Sequence, residues 1–229
     1  MQIDIISLFP EYFQGPFDVS ILKKAQENNL LKINHIDLRK FGLGKHHKVD
    51  DRPYGGGPGM VLRPEPLAEA IRSVLTDESH VILLSPQGKV LNTSIGQRLA
   101  TKSHLILICG HYEGVDERII ETFVDEEISI GDFVLTNGGP AAIILVETVS
   151  RFIPMVLGHE EAAYQDSFVK GIFDAPHYTR PYDFEGNIVP DVLVNGHHLH
   201  IQQWREKKAY EKTKLVRPDL IDSLTIEQN

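Results

Sequence analysis

Three stretches place glycine beside polar and acidic side chains, and each directly follows an apolar run. Ser85-Pro86-Gln87-Gly88 follows the run at 80–84, Gly110-His111-Tyr112-Glu113-Gly114 follows 104–109, and the segment from Gly131 to Pro140 follows 127–130. Short continuous apolar runs separated by helical patterns imply a parallel sheet covered on both faces. In such sheets ligands bind beyond the carboxyl ends of the strands. All three glycine-bearing loops fall on that edge, which makes it the candidate ligand site.

Several chemistries are excluded by spacing. A dinucleotide fold needs Gly-x-Gly-x-x-Gly directly after its first strand, where this chain has Pro10-Glu11-Tyr12. The longest glycine cluster, Asp50-Asp51-Arg52-Pro53-Tyr54-Gly55-Gly56-Gly57-Pro58-Gly59-Met60, is not a P-loop, because no Gly-Lys-Ser/Thr follows. A loop this long is either functional or a flexible surface segment. One cysteine and no His-Glu-x-x-His give no metal signature, and no Gly-x-Ser-x-Gly elbow offers an acyl-transfer nucleophile. His197 and His200 lie on one helical face, where a solvated or RNA-facing surface suits them better than zinc.

The elements that must carry these loops are legible from periodicity. Strands are expected at 3–9 and 31–38, joined by a helix at 16–28 with Phe17, Ile21, Leu22 and Ala25 inward. Strand, helix, strand suggests a right-handed crossover. Further helices are expected at 65–75, 93–101, 115–123 and 141–152. The last is apolar nearly all round, so burial on several sides is expected, part of it in a subunit interface. Near Pro154 the sequence changes character. Residues 154–174 read as a linker, and a helix at 196–213 with a shorter one from Arg217 suggests a small helical domain over 175–229. The fold class is therefore α/β, with residues 1–153 forming a parallel sheet flanked by helices.

Composition sets the setting. The 229 residues are 41% hydrophobic and 24% charged, ordinary for a soluble protein. No apolar run nears the roughly 20 residues needed to cross a bilayer, so no membrane association is expected. The start lacks a basic signal-peptide region, and the lone Cys109 suits a reducing compartment, so a cytoplasmic location is expected. A net charge of −9 argues against coating nucleic acid non-specifically. Yet residues 205–217 hold six Lys or Arg against two Glu, and residues 39–52 hold five against two Asp. Such basic segments bind phosphates if they share a face, and are otherwise solvated surface.

The glycine-rich stretch 50–60, Leu84-Ser85-Pro86-Gln87-Gly88, the segment 109–118, Ser129-Ile130-Gly131-Asp132-Phe133-Val134-Leu135, Pro176-His177-Tyr178-Thr179-Arg180-Pro181 and Trp204-Arg205 together resemble the TrmD family of bacterial tRNA (guanine-N1)-methyltransferases. The resemblance runs to about Leu220 in order and spacing. It implies a member of the trefoil-knotted (SPOUT) methyltransferases, in which the three loops form the knot and wrap S-adenosylmethionine in a bent form. The implied donor contacts are Leu84, Ser85, Pro86, Gly110, Tyr112, Gly114, Ile130, Gly131, Phe133, Leu135, Asn137, Gly138 and Ala141. The implied reaction is methylation of N1 of the guanosine immediately 3′ of the anticodon, position 37. Asp166 stands at the position of the family's catalytic aspartate, Arg151 matches its arginine, which would stabilise charge on the purine O6, and Glu113 matches a carboxylate near the donor and target base. Asp50, Arg52, Tyr54, His177, Arg180, Arg205, Lys207 and Lys208 would hold tRNA. The resemblance also implies a homodimer whose active site is shared between subunits, and allows Mg2+ during catalysis, bound chiefly through RNA because no cluster forms a dedicated cage.

Two departures stand out. Where the family has Ser-Gly-Gly-Glu and then Leu-Pro, this chain has Thr136-Asn137-Gly138-Gly139-Pro140-Ala141, so Gly139 replaces a carboxylate. Donor binding is expected to survive with altered affinity. His111 replaces the family's commoner arginine. The competing readings are a knotted enzyme methylating a ribose 2′-hydroxyl or another base, and a non-catalytic RNA-binding or donor-sensing protein.

Overall fold

The computed structural model describes residues 1–159 and 162–226. The chain divides into two compact units, Met1–Glu160 and Glu161–Asn229. The boundary between them falls within the expected linker at 154–174.

The first unit is built on five parallel strands, in spatial order residues 32–37, 2–7, 104–109, 79–90 and 126–129. The elements in chain order are β1 (Gln2–Ser7), α1 (Ser20–Glu27), β2 (Lys32–Asp37), a two-residue ribbon of β3 (Asp50–Asp51) and β4 (Val61–Leu62), α2 (Pro64–Arg72), β5 (Ser79–Val90), α3 (Thr93–Ala100), β6 (His104–Cys109), α4 (Glu117–Phe123), β7 (Glu126–Ser129) and α5 (Gly139–Ser150). Strand β6 is buried at every residue. Its Leu105, Leu107 and Cys109 join one core cluster with α1, α3 and α5. Its Ile106 and Ile108 join a second with α2 and α4. A strand covered on both faces needs no polar alternation, which is why β6 is a continuous apolar run.

Two expectations need correction. Helix α1 begins at Ser20 rather than Pro16, because Gly15 takes a positive φ of 99° and donates its N–H to Asp18 Oδ2 at 2.9 Å, making a turn. Phe17 is buried ahead of the helix, whereas Ile21, expected inward, is exposed. Strand β5 does not end at Leu84. It loops out at residues 85–88 and resumes pairing with β7 at Lys89 and Val90. Helix α5 buries Ala141, Ala142, Leu145, Val146 and Val149, while Ile144 faces outward.

At the amino end of the sheet a buried polar network ties four strands. His104 Nε2 lies 2.8 Å from Asp4 Oδ2, its Nδ1 lies 2.8 Å from Ser79 Oγ, and Asn34 donates to Asp4 Oδ1. The polar residues buried at that end are therefore structural, which leaves the opposite, carboxyl edge for ligands.

The second unit contains a hairpin of β8 (Asp183–Phe184) and β9 (Asn187–Ile188), then α6 (His198–Val216) and α7 (Pro218–Ile226). Thr213, fully buried, accepts the Phe173 N–H at 2.9 Å and so ties the segment before the hairpin to α6. Among the described residues no helix is long and apolar enough to cross a membrane.

Candidate functional site

The sheet register brings the three loops to one edge. Leu84 of β5 pairs with Cys109 of β6 and Ile128 of β7, so all three strands release their chains at the same level. The first loop turns tightly, with Ser85 Oγ accepting the Gln87 N–H at 3.1 Å. Gly88 lies against the backbone of Glu127 and Ile128, where a Cβ would come within 2.4 Å.

The second and third loops hold each other. His111 bridges to Asn137, and Gly138 donates its N–H to the Gly110 carbonyl at 2.8 Å. A Cβ on Gly138 would sit 2.8 Å from the Cys109 Cα, so this backbone crossing requires glycine. Asn137 Oδ1 accepts the Gly139 N–H at 2.7 Å, which fixes the chain as it enters α5. The departure from the family's third-loop sequence is therefore a defined turn closed by the Asn137 side chain.

The glycine-rich loop 50–60 also converges here. Glu113 donates its N–H to the Met60 carbonyl at 3.0 Å, and the Leu62 N–H bonds to the Gly114 carbonyl at 3.0 Å. Gly59, with φ of 82°, packs directly on the Glu113 side chain. Nothing in the spacing of the two motifs announces that contact.

The three strand-end loops enclose a cavity of about 360 Å³, within the range of roughly 300–1,000 Å³ usual for small-molecule sites. It is lined by Leu84, Ser85, Pro86, Gly110, Tyr112, Gly114, Ile130, Phe133, Leu135, Asn137, Gly138 and Ala141, all expected donor contacts, and by Glu113. Gly131 is not among the lining residues. With φ of 145° it shapes the loop, its N–H and carbonyl both engaged by Ser129 Oγ. The sequence reading missed Gln87, Glu117, Ile120, Glu127 and Ser129, which also line the cavity. Period-two alternation along β7 would have put Glu127 and Ser129 on one face.

Electrostatically the cavity is acidic. Glu113, Glu117 and Glu127 line it, and no Lys or Arg does. A ligand bearing phosphates would meet carboxylates without a cation to offset them, whereas a cationic ligand is complemented. Cys109 supplies no reactivity, since burial pushes its thiol up to about 12 and keeps it neutral.

The remaining candidates are distributed between the units. Arg151 is the C-cap of α5 in the first unit, and Asp166 follows a short 3-10 helix (Ala163–Gln165) in the second. Asp50 lies in β3, while Arg52 and Tyr54 are exposed. His177, Arg180 and Arg205 line a second cavity of about 480 Å³ wholly within the second unit, together with Tyr178 and Tyr182 and no acidic residue. Lys207 and Lys208 lie on α6 beside it in sequence but pair with Glu211 at 3.9 and 2.7 Å. His197 and His200 stack at 3.8 Å, and His197 Nδ1 accepts the His200 N–H, which makes the pair a helix cap. Among the described residues no group of three or more His, Cys, Asp or Glu is arranged to hold a metal ion.

Comparison with known proteins adds a family. The family model described as tRNA (Guanine-1)-methyltransferase TrmD matches residues 1–223. A tRNA (guanine-N(1)-)-methyltransferase of Protochlamydia amoebophila is 58% identical over 221 residues, covering 96% of this chain and 100% of that protein. One from Dictyoglomus turgidum is 52% identical, covering 100% of this chain and 93% of its own. One from Carboxydothermus hydrogenoformans is 49% identical, covering 96% and 87%.

Proposed function

The chain belongs to the TrmD family of tRNA (guanine-1)-methyltransferases, and from that premise we propose how its residues divide the reaction. The protein is a tRNA (guanine-N1)-methyltransferase. Its methyl donor is S-adenosylmethionine, bound in the first-unit cavity, and its target is the guanosine at position 37. The observation that carries the donor assignment is the lining: three carboxylates, no Lys or Arg, and backbone brought close by Gly110 and Gly138. That lining suits a sulfonium and an ammonium beside a flat adenosine.

The donor supplies an activated methyl group, so the chain's own work is alignment and proton removal. Guanine N1 carries a proton at neutral pH and attacks poorly until it leaves. Asp166 accepts that proton as general base. Arg151 stabilises the negative charge that spreads to O6 as N1 is deprotonated. Glu113, lining the cavity, positions donor and base. As the N1–methyl bond forms, the sulfur–methyl bond breaks and its electron pair remains on a neutral thioether.

The third loop's return from edge strand β7, past β5, to seat Gly138 on the end of β6 supports a trefoil knot in the first unit. The outward-facing Ile144 on α5 and the exposed Phe133 and Val134 support a homodimer with a shared site. Residues 1–153 would then bind the donor, 154–174 would carry the catalytic aspartate, and 175–229, with its helices α6 and α7, would bind tRNA together with Asp50, Arg52 and Tyr54. The target base must leave its stack to be reached. Any Mg2+ dependence would act through RNA phosphates, and the location is cytoplasmic.

The test is transfer from labelled donor to unmodified tRNA, with the product base mapped. The intact protein is expected to methylate N1 of guanosine 37, and Asp166→Ala to lose transfer by about 10²-fold or more. Methyl groups on a ribose or another base would overturn the target assignment, and an unimpaired variant would overturn the role of Asp166.

A further inference from the structure

Three consecutive acids, Asp125, Glu126 and Glu127, lead into β7, and the structure treats them differently. Asp125 Oδ2 accepts the Val81 N–H at 2.7 Å. Glu126 is held by Arg98 at 2.6 Å and by His80 at 2.6 Å. Among the described residues Glu127 has no such partner: its Oε2 is buried and makes no hydrogen bond. A buried carboxylate oxygen without a donor loses its hydration and recovers nothing, which is costly enough to be rare.

The pleat of the strand says where this carboxylate faces. Ile128 packs into the cluster with α3 and α5, and Glu126 reaches Arg98 on α3. Glu127 must point to the opposite face, where its partner Leu83 and the neighbours Val115 and Ile120 lie. Leu83, Val115, Ile120 and Glu127 all line the first-unit cavity. The orphaned oxygen therefore belongs to the ligand site rather than to the core.

We propose that Glu127 is a specificity-determining residue for the methyl donor, whose partly buried carboxylate faces the cavity and favours the sulfonium-bearing donor over the product, which lacks that charge. This rests on the reading of the cavity as the donor site. The donor carries a sulfonium charge that is lost when the methyl group leaves, while the rest of the molecule is unchanged. A carboxylate in a partly desolvated cavity acts on that charge more strongly than one in water. Glu127 thus weakens retention of S-adenosylhomocysteine relative to S-adenosylmethionine and limits product inhibition.

The test is calorimetric binding of S-adenosylmethionine and S-adenosylhomocysteine to the full-length protein, Glu127→Gln and Glu127→Asp, with thermal melts of each free protein. Glu127→Gln is expected to reduce the donor-to-product affinity ratio at least fivefold, through the donor, with product affinity changed less than twofold. Glu127→Asp, which keeps the charge, should restore part of the ratio. An unchanged ratio in Glu127→Gln, whether neither ligand or both weaken alike, overturns the proposal and leaves the donor site standing. Failure of the intact protein to bind either ligand overturns the reading of the cavity and this inference together.

Discussion

The contact of Gly59 with Glu113 joins two motifs far apart in the chain and ties the end of the glycine-rich loop to the candidate site. The loop's end is hydrogen-bonded to the site through Met60 and Leu62, and a Cβ on Gly59 would approach the Glu113 Oε1 to 2.3 Å. Gly59→Ala therefore displaces the Glu113 carboxylate and strains a backbone at φ of 82°, at about 1–2 kcal/mol. Methyl transfer is expected to fall at least tenfold. The double variant Gly59→Ala/Glu113→Ala should be no worse than Glu113→Ala alone, because the glycine acts through that side chain. Additive losses in a double-mutant cycle would show that the loop serves the reaction by another route. The sequence exposed both residues but not their contact, since Glu113 stands out by its motif and Gly59 only as one glycine among several. Glu127 was missed for a related reason: strand alternation puts it on the opposite face from Glu126, but only tertiary pairing with Arg98 and His80 shows which acid is engaged and which is orphaned.

At the scale of elements, what was legible followed from burial. β6 and the start of β5 are covered on both faces, so they announce themselves as apolar runs, and the helices between them show one apolar face. The return of β5 to pair at Lys89 was hidden, because Ser-Pro-Gln-Gly signals a loop and only the close packing of Gly88 on Glu127 lets the strand resume. The start of α1 was hidden too, because Phe17 matches the helical period yet is buried from a turn. Edge strand β7 is pinned differently, by ions. Burial pushes the Glu126 carboxyl up, but hydrogen bonds from Arg98 and His80 outweigh it and hold the group below its ordinary value. A carboxyl depressed in the folded state contributes stability above its unfolded pKa and loses it as pH falls through the folded one. Arg98 is about half exposed, so the pair contributes about 1 kcal/mol. Arg98→Ala should therefore lower stability near neutral pH by about that amount and shift acid unfolding, followed by circular dichroism, to higher pH. An acid midpoint equal to that of the intact protein would mean the pair does not pin β7.

For the whole molecule the problem is that a chain of net charge −9 must hold a polyanion. The cavity proposed for the donor is acidic, which suits a cationic donor and repels phosphate, so that proposal has the RNA held elsewhere. The second unit offers the contrast: a cavity lined by Arg180, Arg205 and His177 with Tyr178 and Tyr182, and no acid. No ion pair to a carboxylate engages either arginine among the described residues, whereas Lys207 and Lys208 are already paired with Glu211. Composition pointed to residues 205–217 as basic, but not to which cations remain available, because the helical spacing that pairs lysines with Glu211 also leaves Arg205 facing the cavity. Unpaired guanidiniums beside exposed aromatic rings suit phosphate together with an unstacked base. Each phosphate contact contributes roughly 0.7–0.9 to the slope of log affinity against log salt. The double variant Arg180→Ala/Arg205→Ala is expected to weaken tRNA binding about 10–100-fold at moderate salt and to flatten that slope by about 1.4–1.8. Its affinity for S-adenosylmethionine, measured on the same preparation without RNA, should stay within twofold of the intact protein, since no residue of the donor cavity belongs to the second unit. If tRNA affinity falls with the slope unchanged, the two arginines shape the unit without touching phosphate. If donor affinity falls as well, the division of labour between an acidic donor site and a basic RNA site is wrong.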